Sequence, residues 1–307
     1  MQLAGVTWRE RPDGRFDRGL EVWTEEQDAL LFLPVNQNDR ISWTFTGPRS
    51  CVGFRDADGV PVRCPERSAL RRGMTKCGPC NALDLTTQCV RCDGSVCRAE
   101  PERRKQCNDT DYVVYLALFG SNTVKVGVSS SARAKTRWAE QGADYGAQIA
   151  RVHGGMLARR LEHSLSRAAS FTKAVRGERK MSGMLLAIAQ DEAQATLEAV
   201  LASNHIAPSS MEKYGVQQAG WPPRVVDMSE YYGLGQLGTI PQRLRLRDAA
   251  KGVVTILGEV VGMKGSIVVS QSGESLFMAD LKQFVGYAMA SDLHGGLVAQ
   301  SALSEFI

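Results

Sequence analysis

The residues with the clearest chemistry are the eight cysteines, all of which lie between Cys51 and Cys107. Two CxxC pairs, "CGPC" at 77–80 and "CVRC" at 89–92, have the spacing that presents two thiolates to Zn²⁺ from one tight turn. Because structural zinc takes four ligands in a tetrahedron, eight cysteines make two complete sets. The simplest assignment gives one ion to Cys51, Cys64, Cys77 and Cys80 and a second ion to Cys89, Cys92, Cys97 and Cys107. Interleaved assignments stay open.

The chemistry of such a site is structural. Four thiolates fill the coordination shell of zinc, so the ion is not expected to activate water. The stretch from 51 to 107 is too polar to build a core of its own, and a zinc ion worth about 10 kcal/mol of folding free energy would order it. Disulfide bonds are the competing interpretation, which a reducing compartment disfavours. Zinc is favoured over an iron–sulfur cluster because no closely spaced three-cysteine run of ferredoxin type occurs.

Positive charge is concentrated in the middle of the chain. The net charge of +4 over 307 residues supports no claim about nucleic acid by itself. However, residues 98–180 contain sixteen Lys and Arg against eight Asp and Glu, so this segment carries +8 while the remainder sums to −4. A solvated helix face remains the plainer explanation of any single cluster, such as "RRK" at 103–105.

The elements that must position these residues predict an α+β protein. "DYVVYLALFG" and "TVKVGVSS", separated by a short "SN" turn, predict an antiparallel hairpin over 111–129. Helical patterns follow at 131–142, 156–169 and about 184–202. We predict four parts: an N-terminal β unit (1–50), a Cys-rich zinc module (51–110), an α/β domain with the hairpin (111–205), and a linker with a C-terminal small β barrel or sandwich (206–307).

Neither a signal peptide nor a membrane span is expected. The longest apolar runs, such as "MLLAIA", are far shorter than a bilayer requires, and the first fifteen residues lack an apolar core. We therefore predict a cytoplasmic protein with no membrane partner. Its oligomeric state stays open.

The hairpin carries a resemblance to a known family. "VVYLALFGSNTVKVGVSSSARAKTRW", with "ARRLEHSL" about twenty residues later, resembles the GIY-YIG endonuclease superfamily, in the branch whose second motif reads KIG or KVG. "VVY" at 113–115 corresponds to GIY, and "KVG" at 125–127 to YIG. The layout, with cysteines ahead of the hairpin, also resembles an uncharacterised bacterial and archaeal family with a zinc-binding region before a GIY-YIG-like domain, and this second resemblance covers most of the chain.

The nuclease resemblance implies roles for particular residues. Tyr115 would help to deprotonate or orient the attacking water, and Gly127 would mark a sharp bend of the chain. Arg137, which precedes an aromatic residue as the family arginine does, would contact the scissile phosphate, and Arg133, four residues earlier, is the alternative for this contact. Glu162 would hold one Mg²⁺ or Mn²⁺ ion.

The sequence also departs from the family pattern. Lys125 stands where the second motif has tyrosine, and an ammonium is no general base unless burial lowers its pKa. It could hold phosphate instead. No counterpart of the late family asparagine is found, and the segment between Arg133 and Arg137 is longer than usual. These departures weaken the case for turnover more than the case for phosphate binding.

Several further residues are open to two interpretations. Trp138 is predicted either to stack on a base or to fill the core. Arg159 and Arg160, on the outer face of the helix predicted at 156–169, are predicted to contact nucleic acid. His153 and His163 are interpreted either as proton relays or as ordinary surface residues.

Two functions are consistent with these patterns. The first is a zinc-stabilised phosphodiesterase, an endonuclease that acts on DNA or RNA with Mg²⁺ or Mn²⁺. The alternative is a protein that binds nucleic acid or a nucleotide without cutting it, or a different reaction on the same scaffold.

Overall fold

A computed structural model describes residues 1–25, 29–56, 58–71, 73–90, 92–167, 171–172, 174–184, 188–216, 220–235, 237–239, 241–244 and 253–291. The chain divides into two compact units, the first made of 1–85 with 232–307 and the second of 86–231. Among the described residues, no helix has both the length and the apolar character needed to cross a bilayer.

Strands dominate the first unit and helices the second. The strands are β1 (Gln2–Glu10), β2 (Phe16–Trp23), β3 (Leu30–Pro34), β4 (Arg40–Thr46), β5 (Phe54–Arg55), β6 (Pro61–Val62), β7 (Asp111–Phe119), β8 (Thr123–Ser130), β9 (Tyr145–His153), β10 (Val226–Asp227), β11 (Gln242–Leu244), β12 (Val254–Lys264), β13 (Ile267–Ser272), β14 (Ser275–Asp280) and β15 (Ala288–Ser291). The helices are α1 (Gly78–Leu83), α2 (Thr87–Val90), α3 (Pro101–Asn108), α4 (Ala134–Gln141), α5 (Gly155–Ser166), α6 (Gly177–Ser182), α7 (Gln190–Ser203) and α8 (Pro208–Met211).

The first unit contains a nine-stranded sheet in the order β11-β14-β13-β12-β4-β15-β1-β2-β3. Its pairs are antiparallel apart from β11 with β14. The sequence predicted an N-terminal β unit and a separate C-terminal barrel or sandwich. Instead, β12 pairs with β4 and β15 pairs with both β4 and β1, so the strands from the two ends of the chain form one sheet. Among the described strands this sheet is open, with β11 and β3 at its edges.

The second unit is built on a four-stranded antiparallel sheet in the order β10-β9-β7-β8. The predicted hairpin is confirmed, with β7 and β8 in register from Tyr112 opposite Ser130 to Phe119 opposite Thr123. Side chains along β7 and β8 point alternately to the two faces of the sheet. On one face, Leu116 and Val126 share an apolar core with residues of α5 and α7.

The other face of this sheet carries the candidate site. Helix α4 covers it, preceded by a 3₁₀ turn at Ser131–Arg133 and ended by Gly142 in the left-handed conformation at φ +67°. Glycine is favoured there because it has no Cβ to clash. The helices predicted at 131–142, 156–169 and 184–202 correspond to α4, α5 and α7, with α7 starting at Gln190. These helices fix the spacing of the charged side chains described below.

Candidate functional site

The first cysteine set forms a compact cluster in the first unit. The four Sγ atoms of Cys51, Cys64, Cys77 and Cys80 lie within 4.8 Å of one another, and all four side chains are buried. The Sγ atoms of Cys64 and Cys77 are 3.9 Å apart, close to the roughly 3.8 Å edge of a tetrahedron with Zn–S bonds of about 2.3 Å. The cluster can therefore bind a metal ion such as zinc.

Backbone amides already point at the cluster. The Cys51 sulfur accepts hydrogen bonds from the amides of Cys77, at 3.2 Å, and Gly53, at 3.4 Å. Next to Cys77, Lys76 forms an ion pair with the buried carboxylate of Asp84, whose own amide donates to the carbonyl of Cys80 at 3.1 Å. Backbone amides that donate to a cysteine sulfur favour its thiolate form.

Burial and neighbouring groups shift the pKa values of three thiols in this cluster. Burial raises the pKa of Cys51, and burial with the neighbouring thiols raises the pKa of Cys80. Burial also opposes ionisation of Cys64, but the amide of Ser68 and the neighbouring thiols lower its pKa to about 7. The thiol of Cys64 therefore ionises more readily than those of Cys51 and Cys80. A bound divalent cation supplies the positive charge that four thiolates need.

The second cysteine set lies in the second unit and is arranged differently. Among the described residues, Cys89, Cys92, Cys97 and Cys107 do not form a second group of this kind. Cys107 packs against Gly155 at the start of α5 and hydrogen-bonds with Tyr112. Zinc binding by this set stays a prediction.

The predicted tyrosine lies at the centre of a second site. Tyr115 is 1% exposed on the central strand β7, and its Cα partners are Gly127 on β8 and Gln148 on β9. A Cβ at Gly127 would lie 2.5 Å from both Cζ and Oη of Tyr115, so the ring rests directly on the glycine. The second-motif glycine therefore makes room for the phenol.

A glutamine that sequence reasoning missed holds the phenol in place. Gln141 Nε2 donates to Tyr115 Oη at 2.6 Å, and Gln141 Oε1 accepts from Lys125 Nζ at 3.2 Å. The side-chain amide of Gln141 thus links Lys125 to Tyr115. Arg133, Arg137 and Gln141 are spaced four residues apart, so helical spacing could have revealed the shared face.

Arg137 on α4 and Arg133 in the preceding 3₁₀ turn form ion pairs with the same carboxylate. Glu140 accepts from Arg133 at 2.7 Å and from Arg137 at 2.5 Å. Burial opposes the charge of Arg137, but Glu140 and a hydrogen bond to Tyr115 raise its pKa overall. Arg137 is therefore the arginine that contacts the phenol.

The predicted glutamate reaches the same neighbourhood from α5. Glu162 Oε2 accepts from Arg159 Nη1 at 3.2 Å, and the Glu162 side chain is 24% exposed. The charges of Arg137, Glu162 and Glu140 all act on the pKa of Tyr115. Glu162 is thus near enough for its charge to act on Tyr115, while its carboxylate pairs with Arg159.

The phenol of Tyr115 is protonated at neutral pH. Burial is the main reason that its pKa is raised above the ordinary value of 10.0, although Arg137 and the hydrogen bond from Gln141 oppose this shift. Since the unfolded chain releases this proton first, the contribution to stability is complete below about pH 10 and is lost as pH rises through the folded pKa. We expect the free energy of unfolding to fall less steeply above pH 10 in Tyr115→Phe than in wild type. Urea titrations from pH 8 to 11 measure this, and equal slopes would contradict it.

The close contact at Gly127 gives a second prediction. Gly127→Ala should displace the Tyr115 ring and lower the free energy of unfolding by about 1–3 kcal/mol, because added volume in a packed site forces its neighbours to move. Urea denaturation measures this. Gly59→Ala is no suitable control because Gly59 has positive φ, whereas Gly235→Ala is suitable because nothing lies within 4 Å of its added Cβ. Equal stability of Gly127→Ala and wild type would refute the contact.

Two residues predicted to contact nucleic acid, Trp138 and Arg160, make contacts within the protein. Trp138 is 2% exposed, packs on Gly146, and meets Tyr115 edge-on with ring centroids 6.0 Å apart. Base stacking on Trp138 is therefore wrong, since both ring faces are buried, and the core interpretation holds. Arg160 Nε donates to the carbonyl of Gly94 at 2.5 Å, which gives this arginine a structural contact. His153 pairs with Asp111 at 2.8 Å, and both are exposed.

Comparison with known proteins places the chain in one family. A family described as "Protein of unknown function (DUF2797)" matches residues 38–289. The chain belongs to this family. Neither the curated proteins nor the solved structures gave a match. The DUF2797 match spans all eight cysteines together with Tyr115, Arg137 and Glu162, so both sites lie within the family region.

Proposed function

We propose that this protein is a zinc-stabilised phosphodiesterase that hydrolyses DNA or RNA with the help of a divalent metal ion. The observation that carries the proposal is the convergence of a buried phenol, an arginine and a glutamate. Tyr115, Arg137 and Glu162 come from three different elements, and the charges of Arg137 and Glu162 both act on Tyr115. The resemblance of the hairpin to GIY-YIG endonucleases supports the same assignment.

Arg137 is suited to bind the scissile phosphate. A guanidinium has five N–H donors. One donor of Arg137 bonds to Glu140 and one to Tyr115, so others remain for phosphate oxygens. Arg133, with 57% of its side chain exposed, can add a second contact. Phosphate binding competes with Glu140 for these cations, so the carboxylate must share them or turn away.

Tyr115 acts as a hydrogen-bond donor rather than as a base. Its raised pKa keeps the proton on at neutral pH, and its oxygen accepts from Gln141 and Arg137. The proton is then directed at a third partner, such as the attacking water or a phosphate oxygen. A donor aimed at charge that develops in the transition state contributes about 10²–10³ in rate.

Glu162 fits a Mg²⁺ or Mn²⁺ ligand by its chemistry. A single partly exposed carboxylate suits a hard cation that keeps several waters and takes its remaining ligands from phosphate. When bound, this ion would neutralise charge on the phosphate. The reaction itself is hydrolysis, in which water adds to phosphorus, the P–O bond to one sugar breaks, and the released oxygen takes a proton.

We also propose that zinc is the structural metal and that each chain holds two ions. The buried cluster of the first unit supports one zinc ion. The second ion rests on the count and spacing of Cys89, Cys92, Cys97 and Cys107.

Binding without cleavage is the second candidate function. It is favoured by Lys125, which replaces the second-motif tyrosine and hydrogen-bonds with Gln141 beside Tyr115. A fixed ammonium at this place strengthens phosphate binding and offers no base for hydrolysis.

The test is cleavage of end-labelled DNA and RNA by wild type with Mn²⁺, with Mg²⁺ and with neither. Products that require the added ion, and that disappear in Arg137→Met, are expected. Binding that weakens steeply with salt, but without products under any condition, would select the second candidate. Salt-independent binding would refute both.

A further inference from the structure

A groove of about 1120 Å³ opens beside the candidate phosphate site in the second unit. Two of its lining residues also border Tyr115. Trp138 meets the phenol edge-on at 6.0 Å, and Gln148 is the Cα partner of Tyr115 on the neighbouring strand. The groove therefore lies next to Tyr115, with Trp138 between them.

One wall of the groove is fixed by hydrogen bonds. The amide of Gln194, on α7, donates to the carbonyl of Pro223 at 3.0 Å and accepts from the backbone amide of Val225 at 3.0 Å. These bonds tie the segment 220–226 to the helix. Trp221, on the same segment, lines the groove. The aromatic wall is thus held in position before any ligand binds.

The charges of the lining disfavour a phosphate inside the groove. Lys135 and Arg224 are matched by Asp191 and Glu198, so the formal charge of the lining is zero. The two carboxylates would repel a phosphate, in contrast to the arginines beside Tyr115. A neutral ligand fits better.

The polar groups of the lining suit the edge of a nucleobase. Gln148 and Gln190 are exposed and each offers both a donor and an acceptor. The indole of Trp221 lines the groove with them. Amides read base edges, and a tryptophan can stack on a base.

We propose that this groove binds one unpaired nucleobase of the strand whose phosphate is held by Arg137. This inference rests on the proposed function, because the phosphate site fixes where the strand lies. A paired base exposes neither its face nor its Watson–Crick edge, so the substrate is single-stranded there or has the base turned out of the duplex.

The test measures binding of a fluorescently labelled single strand by anisotropy. No Mg²⁺ or Mn²⁺ is added, so that the strand stays intact, and no chelator is added, so that zinc is retained. A set of matched strands carries one abasic site at each position in turn. In wild type, one abasic position should weaken binding by about 5- to 150-fold, the range expected for the loss of one stacked base.

Variants connect this loss to the groove. Gln148→Ala, at an exposed position, and Trp221→Leu should bind the intact strand more weakly and should no longer distinguish the abasic strand. Gln106→Ala, an exposed glutamine on α3, is the matched control and should behave as wild type. If wild type binds all strands equally, or if Gln148→Ala keeps the full abasic effect, the groove proposal is refuted.

The two proposals fail in different ways. If Arg137→Met binds the intact strand as tightly as wild type does, the phosphate site is refuted, and the proposed function with it. If Arg137→Met weakens binding but no abasic position matters, only the groove proposal falls. No binding of any strand by wild type would overturn both.

Discussion

Glu162→Gln is expected to lower the rate of nucleic-acid cleavage at least 100-fold while the protein stays folded and still binds its substrate. The amide keeps the size of the side chain but removes the negative charge that attracts a hard cation. Arg137 and Tyr115 remain, so the phosphate contacts survive. A loss of rate without a loss of affinity indicates stabilisation realised only in the transition state.

The measurement is single-turnover cleavage of a labelled strand over a series of Mn²⁺ concentrations, with affinity determined separately without added metal. Glu192→Gln is the matched control, because Glu192 is an exposed glutamate on α7 in the same unit. Equal product from Glu162→Gln and wild type would remove Glu162 from the reaction. Lost affinity together with lost rate would give it a structural role instead.

Cys80→Ser is expected to unfold the segment that contains the first cysteine cluster. Cys80 is 2% exposed. Among the described residues, the core of its segment consists of four cysteines with Phe54 and Leu70 packed against them. Structural zinc contributes about 10–16 kcal/mol in zinc-finger peptides, which is comparable with the whole stability of a small domain, about 5–15 kcal/mol. Loss of one ligand should therefore remove both the metal and the order.

Elemental analysis and hydrogen exchange of residues 51–84 measure this effect. We expect close to two zinc ions in wild type, one in Cys80→Ser and one in the control Cys97→Ser. Only Cys80→Ser should lose protection in this segment. If wild type and Cys97→Ser each hold one zinc ion per chain, the second zinc site is refuted and the first one stands. Folded wild-type protein without metal would refute the zinc assignment.

The hairpin and the helices could be predicted because their signals are local. Alternating apolar residues in "VVYLALF" and "TVKVGV" define β7 and β8, and helical spacing places α4 and α5 within a few residues of their bounds. Tyr115, Arg137 and Glu162 follow from motif order on these elements. The structure adds that the charges of Arg137 and Glu162 both act on Tyr115.

The arrangement of the first unit could not be predicted in this way. Its sheet depends on pairs such as Phe45 with Val254 and Gln2 with Ala288, which are far apart in the chain. A single sequence carries no periodic signal of such pairing, because the alternation of apolar residues in a strand is the same whichever strand it pairs with. Two separate β units were therefore expected where one sheet exists.

The supporting residues of the candidate site were missed for a similar reason. Gln148 is recognised only through its register opposite Tyr115. Glu140 looks like an ordinary helix-surface residue until the structure shows it between Arg133 and Arg137. For Trp138, the residue type alone did not decide whether the side chain stacks on a base or fills the core.

The most direct test is a crystal of the protein with Mn²⁺ and a short strand that resists hydrolysis, with the ion located by anomalous scattering. A manganese peak at bonding distance from the Glu162 carboxylate, with a strand phosphate between it and Arg137, is the expected result. Manganese absent from Glu162, with the strand bound away from Tyr115 and Arg137, would contradict the proposed phosphodiester site.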